Sequence, residues 1–250
     1  MSRQGLGGRM GHALQLLGPV RLRSDGRTVT LPPAGARLLA VLALGGATGR
    51  EQAAAVLWPE SSASRALANL RTSLSRLNRV APGAVESVGN VLALADDVCV
   101  DLDGARRWVT ATIYGGTSDD DDGPPPEMVR ELLAGWDDAW VTDHREPWAV
   151  LVGQALESAA TARLATGRAA AALPYALAAV TVDPLSESAH RVLIEVHARR
   201  GDGAGALRQY ERLTALLRRE LGVQPSPDIA GMIRSLYPFA GGRTPGRRTA

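Results

Sequence analysis

Lysine is missing altogether: all 28 basic residues in this chain of 250 are arginine. That absence removes several chemistries. A phosphate loop of the form G-x-x-x-x-G-K-[ST] cannot exist, and neither Schiff-base catalysis nor a kinase strand lysine is possible. Cysteine is nearly absent as well. The single Cys99 rules out an internal disulfide and any Cys-rich zinc finger, which fits a reducing compartment. It lies in the apolar run "VCV", where a buried, inert thiol is expected. No run approaches the roughly 18 apolar residues that span a bilayer. The first dozen residues are rich in Gly and Arg and lack an apolar signal core, so a cytoplasmic protein is expected.

Catalytic constellations are equally scarce. The four histidines, at 12, 144, 190 and 197, show no metal-ligand spacing such as H-E-x-x-H, and there is no G-x-S-x-G elbow. His190 and His197 share a helix face, where a packed or capping role outweighs a ligand role. The expectation is a non-enzyme with no metal and no cofactor.

What the sequence does contain is uneven charge. Residues 1–95 hold 11 arginines against 4 acids, residues 96–160 hold 4 against 15, and residues 161–250 hold 13 against 7. The length suits about two domains, and a basic front before an acidic middle suggests modules with different partners.

The front reads as short strands, helices and a hairpin. "ALQLLG", "VRLR" and "TVTL" are β-suitable runs separated by Gly18-Pro19 and Asp25-Gly26. Pro32-Pro33 opens "AGARLLAVLALGG", closed by Gly45-Gly46, and "REQAAAVLW" is a second helix stopped by Pro59. Ser61 or Ser62 can cap a third helix. "VESV" and "VLAL" around Gly89-Asn90 then form a hairpin. This is the order of a winged helix-turn-helix.

The third helix, "SASRALANLRTSLSRLNRV" over 62–80, carries the sharpest signal. Leu67, Leu70, Leu74 and Leu77 recur at helical spacing on one side. At 100° per residue, Arg65, Thr72, Arg76 and Arg79 fall opposite, flanked by Ala68, Asn69 and Ser75. Arg71 and Asn78 fall nearer the leucine stripe. A merely solvated helix interleaves acids for i,i+4 pairing, yet this face has none. Arginine and hydroxyls suit phosphates, while Arg on guanine and Asn on adenine suit base edges. The candidate DNA-binding set is therefore Arg65, Asn69, Thr72, Ser75, Arg76 and Arg79, with Asn90 at the hairpin tip approaching the minor groove. The hairpin has no arginine of its own.

Behind it, "GGTSDDDDGPPPE" over 115–127 reads as a loop; its aspartates lack the turn glycine of a calcium loop. "WDDAW" over 136–140 reads as helix with buried tryptophans and exposed aspartates. From Pro147 onward the chain reads as all-α and contains a repeat. "GRAAAALPYALAAV" from Gly167 aligns with "GDGAGALRQYERLT" from Gly201, pairing Ala172 with Ala206 and Leu173 with Leu207. The 34-residue offset is the tetratricopeptide period, and small residues at helix contacts are what stacked antiparallel helices need.

"LGPVRLRSDGRTVTLPPAGARLLAVLAL", "LWPESSASRALANLRTSLSRLNRV" and "GNVLALADDVCVDLD" resemble the OmpR-type winged helix of SARP-family (antibiotic regulatory protein) activators. "DPLSESAHR", "GALRQYERL" and "ELGVQPSP" resemble the bacterial transcriptional activation domain that follows it. Two features depart from the pattern: the insertion at Asp119–Asp122 with Pro124–Pro126, and Asn78 where the family usually carries Arg. The fold class expected is α+β, an N-terminal winged helix-turn-helix followed by an all-α tetratricopeptide-like domain. The expected divisions are a flexible N-terminus over 1–12, the winged helix over 13–103, the helical domain over 104–240 with a disordered loop at 115–127, and a flexible basic tail over 241–250. No nucleotide-binding domain is expected, as in small members of the family. The resemblance implies a transcriptional activator that binds double-stranded DNA at promoter direct repeats and oligomerises there. It also implies contact with RNA polymerase holoenzyme, a role in switching on an antibiotic-type gene cluster, and a place at the nucleoid. The competing expectation is a repeat-type interaction adaptor whose winged helix binds protein instead of DNA.

Overall fold

The computed structural model describes residues 11–115 and 123–236. The chain divides into two compact units: one of residues up to Arg107 together with Arg130–Pro147, the other of Trp108–Val129 and the residues from Trp148 on. The units interleave in sequence, where the sequence reading has a single boundary between 103 and 104. The Asp119–Asp122 run and the expected tails over 1–10 and 241–250 lie outside the described residues, but His12, the last residue of the expected flexible N-terminus, is buried and opens the first strand.

The first unit opens with β1 (His12–Gln15), β2 (Arg21–Ser24) and β3 (Arg27–Val29), then α1 (Pro33–Gly45), β4 (Thr48–Gly49), α2 (Arg50–Leu57) and α3 (Ala63–Val80). The hairpin β5 (Val85–Val88) and β6 (Val91–Leu94) follows, with β7 (Val98–Val100) and the start of α4 (Asp101–Tyr114). One sheet has the order β3-β2-β1-β7, antiparallel except for the parallel pair of β1 with β7; the other has the order β4-β6-β5. Pro33 at the start of α1 needs no amide partner there, and Gly46 at φ 72° closes that helix by donating its N–H to the Leu42 carbonyl. Ser62 is the N-cap residue of α3 in extended conformation, but its hydroxyl makes no capping bond. Leu14, Leu22, Leu38, Leu39, Leu70, Leu77 and Leu92 are buried and form the core.

Two expectations for this unit need correction. Cys99 is exposed, because successive strand residues face opposite sides and Val98 takes the inner one. "WDDAW" is not one helix: α5 (Ala139–Ala165) begins inside it, and Trp136 and Trp140 are only half-buried. The preceding stretch instead returns to the first sheet, bridging Leu132 to Leu17 and donating Leu133 N–H to the Leu16 carbonyl at 2.8 Å. Asp138 pairs there with Arg37 at 3.1 Å.

The second unit is helical. Where the sequence reads as loop, a 3-10 turn forms at Pro126–Val129, anchored by buried Met128. Helix α5 runs through Pro147, since a proline in a helix removes one backbone bond without obliging the helix to stop. Then come α6 (Ala169–Val182), α7 (Glu187–Arg199), α8 (Gly203–Glu220) and α9 (Pro227–Leu236). The repeat read from sequence is structural: Gly167 and Gly201 hold φ of 74° and 73° in the turns before α6 and α8. Their partners Ala172 and Ala206 are both fully buried. Ile194, Ala206, Leu213, Leu217, Ile229 and Ile233 build the core among α7, α8 and α9.

His190 and His197 hold packed and capping places. His190 is buried, its Nε2 donating to the Pro184 carbonyl at 3.1 Å and its Nδ1 accepting from Gln209 Nε2 at 2.8 Å. His197 Nδ1 lies 2.9 Å from Asp202 Oδ2, while Asp202 Oδ1 accepts Gly205 N–H at 2.8 Å and so caps α8. No helix among the described residues is long and apolar enough to cross a membrane.

Candidate nucleic-acid interface

The buried residues of α3 are Ala66, Leu70, Ser73 and Leu77. Leu67 and Leu74 are only half-buried. At 100° per residue this turns the inward face by roughly 50° from the direction that the four leucines alone suggest. The inward face thus combines small Ala66 and Ser73 with two of the leucines, and at Leu77 it comes close to α1. Gly35 of α1 marks that approach, since a Cβ placed there would lie 3.4 Å from Leu77 Cδ1.

The outward face follows from this phase. Arg65, Thr72, Ser75, Arg76 and Arg79 are exposed, and Asn69 is half-buried. Arg71 and Asn78, which the leucine stripe puts nearer the core, are exposed too. All four arginines of the helix therefore reach solvent, and its 18 residues include no carboxylate. Two polar groups of the helix also bond within the protein. Thr72 Oγ1 donates to the Ala68 carbonyl at 3.1 Å, and Asn78 Oδ1 accepts Gly83 N–H at 3.4 Å where the chain leaves α3.

The hairpin beside α3 turns at Gly89-Asn90, with Gly89 at φ 59°, a conformation that glycine adopts without strain. Asn90 is exposed at the tip. Its carbonyl accepts the N–H of Arg50, the first residue of α2, at 2.8 Å. The Arg50 guanidinium donates to Ser87 Oγ at 2.7 Å. The hairpin thus gains an arginine from another element. Sequence reasoning passes over it because 37 residues separate the pair, and only the β4–β6 pairing brings them together.

The architecture is thus a winged helix with a cationic, acid-free third helix, followed by a tetratricopeptide-like helical domain. Residues 123–236 match the bacterial transcriptional activator domain. The regulatory protein AfsR of Streptomyces coelicolor is 33% identical over 230 residues, covering 86% of this chain and 23% of AfsR. The chain thus spans under a quarter of the length of that curated relative. EmbR of Mycobacterium tuberculosis, solved in complex with a low affinity phosphopeptide, shares the fold with a TM-score of 0.68 at 20% identity. That likeness covers 91% of this chain and 65% of EmbR. By these comparisons the chain is similar to a bacterial regulatory protein, and its helical part to the bacterial transcriptional activator domain.

Proposed function

We propose that the chain is a sequence-specific DNA-binding transcriptional activator. One observation carries the reading: the exposed face of α3 offers arginines, Asn and hydroxyls without a single carboxylate, beside a hairpin placed as a wing. Helix α3 enters the major groove. Arg65, Asn69, Thr72, Ser75, Arg76 and Arg79 meet bases and phosphates there, while Asn90 approaches the minor groove. The match to a transcriptional activator domain and the likeness to a regulatory protein support activation as the output.

In the finer reading the protein acts in the cytoplasm, at the nucleoid, as a homo-oligomer on promoter direct repeats. Its helical domain contacts RNA polymerase holoenzyme, and its target is a secondary-metabolite gene cluster. The test is a DNA footprint on promoters neighbouring its own gene. Protection of two or more equally spaced repeats is the expected result. A chain that protects nothing there, yet captures a protein through its winged helix, is the adaptor of the competing reading.

A further inference from the structure

A cleft of about 280 Å³ lies between α2, α3 and the hairpin, lined among others by Arg50, Leu74, Ser75, Asn78, Val85 and Ser87. We propose that this cleft seats a DNA phosphodiester, with Arg50 as its cation and the hydroxyls of Ser75 and Ser87 as flanking donors. The proposal rests on the DNA-binding reading above and adds a site to it.

Three observations carry it. The first is how Arg50 is held. Its backbone N–H is bonded to Asn90 and its guanidinium to Ser87, so both ends of the residue are fixed to the hairpin. A guanidinium has five N–H donors in a rigid fork, and the bond to Ser87 uses one. The second is electrostatic. No acidic residue lines the cleft, and the ion pairs among the described residues leave Arg50 out. A cation held without a carboxylate partner keeps its charge available for a phosphate oxygen.

The third is topological. The major and minor grooves of a duplex are separated by a sugar–phosphate strand. If α3 lies in one groove and the Gly89-Asn90 tip reaches the next, that strand must cross the gap between helix and hairpin. The cleft occupies this gap. The hairpin, "VESVGNVLAL", has no basic residue to hold the strand. Arg50 supplies the missing charge from α2.

A phosphate contact is independent of sequence, so the test needs no known operator. Binding to a fluorescein-labelled 30-base-pair duplex is followed by anisotropy over a range of salt. Each neutralised phosphate contributes about −0.9 to the slope of log K against log salt. Arg50→Gln is expected to bind roughly tenfold more weakly at low salt and to flatten that slope by about 0.9. Arg50→Lys is expected to keep the slope. Ser87→Asp, which sets a carboxylate beside the guanidinium without touching position 50, is expected to weaken binding as Arg50→Gln does. If Arg50→Gln or Ser87→Asp binds with the wild-type affinity and slope, the phosphate seat is refuted while DNA binding stands. If the wild-type chain does not bind the duplex at all, the DNA reading fails and the seat fails with it.

Discussion

The Asp101 carboxylate, at the first position of α4, accepts the backbone N–H of Leu16 at 2.8 Å through Oδ1 and that of Leu17 at 3.0 Å through Oδ2. Oδ1 also accepts the N–H of Leu102 at 2.8 Å. One acid at the start of a helix thus holds the strand exit of the first sheet, some 85 residues away in sequence. Leu16 and Leu17 are fully buried, so their amides have little access to water. Removing the carboxylate leaves both donors unsatisfied, at about 1–3 kcal/mol each. Asp101→Ala is expected to destabilise the winged helix by about 3 kcal/mol in urea unfolding, with Asp101→Asn recovering part of the loss.

The phase of α3 makes a second prediction. Leu77 is 1% exposed and packs beneath α1, whereas Leu74 is half-buried and lines the cleft beside the hairpin. Leu77→Ala is expected to cost about 2–5 kcal/mol, and Leu74→Ala clearly less. Equal losses from the two, in denaturant melts of the folded proteins, would restore the four-leucine stripe as the true inner face.

Acidification tests the helical domain. Burial holds the His190 imidazole below its ordinary 6.5, helped by nearby Arg212, while bonds to Pro184 and Gln209 and the charge of Asp183 act in the opposite direction. A histidine whose folded pKa is depressed stabilises the fold above its unfolded value, and that contribution is lost as pH falls through the folded one. Asp202 behaves in the same sense at lower pH. The Gly205 N–H, and then His197, hold its carboxylate below the ordinary 3.8, so its cap is lost only below that range. Between pH 7.5 and 5 the urea midpoint of this domain is expected to fall, and His190→Gln is expected to flatten the dependence. A variant that loses as much stability as the wild type over that range would remove His190 from the explanation.

Gly205 gives a local test of the same cap. A Cβ at this position would collide with the Asp202 carboxylate and the His197 ring. Gly205→Ala is therefore expected to destabilise α8 by about 1–2 kcal/mol, as loss of an N-cap does, although alanine is intrinsically the better helix former. A melting temperature at or above wild type would show that the cap rearranges freely.

Much of this fold is legible in the sequence because its signals are local. Pro33, Pro59 and Gly46 punctuate the helices, Gly89-Asn90 turns the hairpin, and the pairing of Gly167 with Gly201 announces the repeated helices. The failures are long-range. Nothing near Arg50 indicates Ser87, nothing near Asp101 indicates Leu16, and the return of Leu132 and Leu133 to Leu17 and Leu16 crosses more than a hundred residues. The phase of α3 is hidden for another reason. Apolar periodicity weighs leucine above alanine and serine, yet here Ala66 and Ser73 are buried while Leu67 and Leu74 are only half-buried.

Whether the acid-free face of α3 binds DNA is decided by a salt titration of DNA affinity with wild type and Arg76→Ala. Wild-type affinity is expected to fall steeply and linearly on logarithmic axes as salt rises. The Arg76→Ala protein is expected to be folded and to show strongly weakened specific binding. Absence of binding at low salt, or an Arg76→Ala protein that binds as the wild type does, would remove α3 as the DNA-binding face.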